Sequence, residues 1–109
     1  VKTKPLILRE LADSDIRKAV EYYVAEASEQ VALGFVDDLE RAFEHIGRHP
    51  TSGSPRFAHE LNLPGLRSWP LARYPFLVFF VERDDHVDVW RVLNSHRDIP
   101  AWMREPDEA

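Results

Sequence analysis

At 109 residues the chain has the length of one domain, enough to bury a core without a covalent or metal staple. It has no cysteine, which excludes a disulfide framework, a thiolate nucleophile and a cysteine-ligated zinc site, and fits the reducing cytoplasm in which we expect it to work. A formal charge of −5 argues against bulk binding of nucleic acid through counterion release. The longest apolar run, Phe76 to Val81, is far shorter than the roughly 20 residues a membrane helix needs.

Pro5 to Arg9 is short and aliphatic and reads as a first strand. Asp13, Ser14 and Asp15 follow, and any of them could cap a first helix running to about Ala27, where carboxylates suit the positive end of the dipole. Ala12, Ile16, Ala19, Val20 and Tyr23 recur there at helical spacing. Ser28 is placed to cap a second helix, whose stripe is Ala32, Phe35, Val36, Leu39, Phe43 and Ile46. So short a link predicts a helical hairpin. Gly34 costs stability inside that helix, and close approach to the first helix would account for it.

His49 to Pro55 is too rich in Pro and Gly for anything but a loop. Phe57 to Leu63 is ambiguous, and Pro64-Gly65 makes a turn. Three strands are predicted beyond it. Leu66 to Leu71 has Pro70 as an edge signal; Phe76 to Val81 is apolar on both faces and should be central; Val87 to Leu93 pairs with it across the acidic turn at Asp84-Asp85. Strict alternation would put Val87, Val89, Arg91 and Leu93 on one face, and Asp88, Trp90, Val92 and Asn94 on the other. After Pro100 the charged tail should fray, residues 104–109 above all. The expected fold is α+β: one domain spanning residues 1–109, two layers in the order β-α-α-β-β-β, a helical hairpin on one face of a small, mostly antiparallel sheet. The other face would be uncovered and available to a partner.

Several motifs taken in order resemble the ParE branch of the ParE/RelE toxins of type II toxin–antitoxin systems. They are Ala12-x-x-Asp15-Ile16-x-x-Ala19-x-x-Tyr22-Tyr23, then Ala32-x-x-Phe35 with Leu39, Ala42-Phe43, Ile46, Pro50 and Gly53. The sheet adds Pro75-Phe76-Leu77-Val78-Phe79-Phe80, Arg91-Val92-Leu93 and Arg97-Asp98-Ile99-Pro100. The resemblance spans about Leu6 to Trp102. It implies a toxin that inhibits DNA gyrase by binding, with no catalytic residues, no metal and no cofactor. Its partners would be gyrase and a cognate, ParD-like antitoxin whose C-terminal segment wraps it in a hetero-oligomer. No membrane and no sequence-specific nucleic acid contact is implied.

RelE relatives instead cut mRNA on the ribosome, with clustered Lys and Arg around the scissile phosphate and often a Tyr or His. Here no lysine follows Lys18, the central strand starts on apolar Phe76-Leu77, and no Tyr follows the last strand. A gyrase inhibitor is therefore favoured over a nuclease. Many family members carry His directly after the Val-Leu of the last strand. This chain has Asn94 there, with His96 two places on, which keeps open an antitoxin-binding member without toxicity.

The candidate partner-binding residues are Arg67, Arg73, Trp90, Arg91, Asn94, His96, Arg97 and Trp102. For the arginines the alternatives are a basic recognition patch or solubilising charge with local salt bridges. Arg97 and Asp98 read best as an ion pair that fixes the C-terminal segment. His45 and His49, four apart at a helix end, suit the helix dipole better than a metal, since no third ligand is evident.

Overall fold

The computed structural model describes residues 3–104. Strand β1 (Leu6–Leu8) leads into helices α1 (Glu10–Glu26) and α2 (Glu29–Arg48). A short helix α3 (Arg56–Leu61) precedes strands β2 (Leu66–Pro70), β3 (Phe76–Glu82) and β4 (Val87–Asn94), and helix α4 (Ile99–Arg104) closes the described chain. The sheet is mixed, in the order β1-β4-β3-β2. β1 runs parallel to β4, and the other two pairings are antiparallel. The α+β hairpin-on-sheet fold expected from the sequence is therefore present, with Pro70 on an edge strand and β3 in the interior.

The main core lies between the hairpin and the sheet. Ala12 and Ala19 of α1, with Phe35, Leu39, Ala42 and Ile46 of α2, meet Val78, Phe80, Val87, Val89 and Val92. Removing a Phe80-sized side chain from water contributes roughly 1.5–3 kcal/mol. Ser28 does cap α2, its Oγ accepting from the Val31 N–H at 3.1 Å. The first helix begins earlier than the Asp13–Asp15 cluster suggests. Its N-cap is Arg9, with extended backbone and no side-chain cap, so the carboxylates of Asp13 and Asp15 lie inside the helix and are free for other partners.

Two expectations about the second face need correction. That face is covered: Phe57 of α3 and Ile99 of α4 bury against Leu66, Phe79, Val81 and Leu93. The segment after Pro100 accordingly continues as helix through residue 104, and residues 105–109 lie outside the described ones. Strict alternation along the last strand also fails. Phe79 pairs with Arg91 and Phe80 with Val89, so Trp90 is an extra residue, a β-bulge. The bulge returns Val92 to the face of Val87 and Val89, and leaves Trp90 and Leu93 on the other.

Gly34 does make room, but for a different neighbour. A Cβ there would sit 2.5 Å from the Tyr74 hydroxyl, which donates to the Val31 carbonyl at 2.8 Å. Tyr74 belongs to the β2–β3 loop, and Asp38 holds that loop by accepting from the Arg73 and Tyr74 N–H groups at 2.8 and 3.0 Å.

Candidate partner-binding site

β1 pairs with β4 only as far as Val89, and Arg9 N–H donates to the Val89 carbonyl as the chain turns into α1. Beyond that point α1 runs beside the outer edge of β4. Asp15 fills part of the gap. Its Oδ2 accepts from the Val92 N–H at 3.0 Å, and its two oxygens take the Arg91 guanidinium in a fork, both bonds 2.8 Å long. Arg91 is buried and gives a further bond to the Trp102 carbonyl at 3.0 Å. One charge pair thus joins α1, β4 and α4.

A cleft of about 520 Å³ opens past this pair. Leu11, Lys18, Tyr22 and Tyr23 form its α1 wall, Phe76 and Val92 its floor, and Asn94, Arg97 and Trp102 its far rim. Tyr22 is 62% exposed and Trp102 37%, so the cleft offers two accessible aromatic faces. The Arg97 guanidinium lies 4.2 Å from the Trp102 ring centroid. Burial, and then the neighbouring Tyr74 and Tyr22, push the Tyr23 hydroxyl's pKa up, which keeps it protonated at neutral pH.

Of the sequence-derived candidates, Arg91, Asn94, Arg97 and Trp102 come together here, while the others lie elsewhere. Arg67, on β2, donates to the Gly53 carbonyl at 3.3 Å. Arg73 is exposed in the loop that Asp38 holds. Trp90 packs against the second face, donates to Asp88 at 3.1 Å and carries the Arg9 guanidinium 4.2 Å above its ring. His96 is exposed, and its N–H donates to the Asn94 side chain. The Arg97–Asp98 ion pair does not form. Arg97 turns to Trp102, and Asp98 accepts from the Ala101 N–H in the first turn of α4. His45 stacks on Trp69 with centroids 4.1 Å apart, and no cluster of three metal-ligating side chains occurs among the described residues.

Sequence reasoning missed the α1 wall. Leu11, Asp15, Lys18 and Tyr22 recur at spacings of four, three and four, a second stripe beside the core stripe of the same helix. That spacing was the available signal.

A second, larger and more open hollow of about 740 Å³ lies on the other face, between α3 and α4. Phe57, Pro70 and Leu77 line it, together with Arg56 and Arg97. Arg56 is paired with Glu60 at 3.3 Å.

Fold and cleft together define a small α+β domain with a concave surface that is aromatic and cationic, suited to binding another chain. The sequence family described as the ParE toxin of type II toxin–antitoxin system, parDE, matches residues 6–99. The chain belongs to that family. A solved structure described as the chromosomal ParDE TA system from P. aeruginosa has the same fold, with a TM-score of 0.71 and 21% identity, over 84% of this chain and 96% of that one. Comparison with curated proteins finds no match. No described helix is long and apolar enough to cross a membrane.

Proposed function

We propose that this ParE-family toxin inhibits DNA gyrase by stoichiometric binding in the cytoplasm, without covalent chemistry, and that a cognate antitoxin neutralises it by occupying the cleft beside the helical hairpin. The observation that carries the non-nucleolytic reading is the state of Arg91. Its guanidinium is buried and committed to Asp15 and the Trp102 carbonyl, so it is not presented to a scissile phosphate. A ribonuclease of the related branch needs several cations clustered on one scissile phosphate; here Arg91, at the centre of the cleft, is balanced by Asp15, and Lys18 and Arg97 stand apart on opposite rims.

The test adds purified protein to gyrase with relaxed plasmid and ATP, and separately to translating ribosomes with mRNA. Loss of supercoiling with intact message is the expected result. Clipped message with gyrase unaffected overturns the proposal in favour of an endoribonuclease.

A further inference from the structure

We propose that the cleft binds its partner by strand addition to the outer edge of β4, and that it selects an extended segment in which carboxylates alternate with apolar residues. The toxin–antitoxin reading supplies only the name of the partner, the antitoxin; the mode of binding and the chemistry of the segment come from the cleft.

The backbone geometry points to a strand. The Ser95 N–H donates to the Pro75 carbonyl, so Leu93 and Ser95 turn their backbone groups towards β3. Val92 and Asn94 therefore turn theirs outward, as the bond from the Val92 N–H to Asp15 shows. Asp15 satisfies that one donor. Among the described residues nothing pairs with the outward Val92 carbonyl or the Asn94 N–H. Unpaired groups in that register along a strand edge are what an added strand uses. Asn94 tightens the site by accepting the His96 N–H on its side chain and the Arg97 N–H on its carbonyl, which bends the chain away and keeps the edge open.

Charge selects the segment. The protein carries a formal charge of −5, yet this cleft is positive. Arg91 is balanced by Asp15, whereas Lys18 and Arg97, on opposite rims, have no carboxylate partner among the described residues. In an extended segment successive side chains point to opposite sides. One set would meet Tyr22, Phe76 and Trp102; the carboxylates would meet Lys18 and Arg97.

The probe is a blocked hexapeptide of alternating aspartate and leucine, titrated into the full chain by calorimetry and amide NMR. Binding weakened at least tenfold when lysine replaces aspartate is expected, with exchange of the Asn94 N–H slowed at least tenfold. A peptide N-methylated along one edge only should lose binding in one of the two possible edge patterns and keep it in the other. Lys18→Glu combined with Arg97→Glu should reverse the charge preference; both side chains are exposed, and an unchanged denaturation midpoint confirms the fold. No binding, equal binding of the lysine peptide, or binding that leaves Asn94 exchanging freely, as a helical occupant would, overturns the proposal. None of these readouts involves gyrase or ribosomes. Failure here leaves the toxin reading standing, and failure of the gyrase assay leaves this one standing.

Discussion

Arg91 and Arg97 carry the same charge on either side of one turn, yet their surroundings give them opposite weights. Arg91 is buried in a fork with Asp15, and removing it would strand a carboxylate in a low-dielectric site. Arg91→Ala is expected to cost about 3–5 kcal/mol in urea denaturation. Arg97 is exposed and rests on Trp102, so Arg97→Ala should cost less than about 1 kcal/mol while weakening partner binding. A large stability loss at Arg97 would mean that the exit from β4 is structural and that Arg97 does not belong in the site. The special status of Arg91 was legible in principle: a lone charge among Val89, Trp90, Val92 and Leu93 requires a buried partner. Which partner was not legible. Asp15 stands 76 positions away, and its place near a helix start made capping the nearer reading.

At the scale of elements, the hairpin and all four strands could be read from period, length and apolar composition. The helices α3 and α4 could not. Six residues hold less than two helical turns, too few for a period to emerge, and they form because Phe57 and Ile99 have a sheet face to cover. The bulge at Trp90 was also hidden. A one-residue slip flips every later side chain, yet leaves the composition of the strand unchanged. Gly34 shows how such packing can be tested. Gly34→Ala should raise helix propensity by up to about 1 kcal/mol. Against that, the new Cβ falls 2.5 Å from the Tyr74 oxygen and would break its bond to Val31. We expect a net loss on the order of 1–2 kcal/mol. In a Tyr74→Phe background the hydroxyl is gone, and the same substitution should be neutral or stabilising. Equal effects in both backgrounds would show that Tyr74 is not what the glycine accommodates.

Across the whole molecule, three aspartates join segments far apart in sequence. Asp15 ties α1 to β4, Asp38 ties α2 to the β2–β3 loop, and Asp88 ties β4 to the entry of α1 and to the β3–β4 turn. Apolar patterning can reveal layers, but it says nothing about these ties, since a carboxylate's partner leaves no periodic trace. Asp88 gives them a pH signature. Burial opposes its charge, but hydrogen bonds from Arg9, Arg83 and Trp90 outweigh burial and hold the carboxyl below its ordinary value. A carboxyl with a depressed folded-state pKa stabilises the fold fully above its unfolded value, about 3.9, and loses that contribution as pH falls through the folded value. Stability should therefore decline with acidification below about pH 4, and Asp88→Asn should flatten that decline. At neutral pH the same variant should cost only on the order of 1 kcal/mol, because Arg9 and Arg83 are nearly half exposed and screened by solvent. Denaturant midpoints measured from pH 7 down to pH 2 decide it. If the variant and the parent chain decline in parallel below pH 4, the acid sensitivity belongs to other carboxylates and the Asp88 junction is dispensable to it.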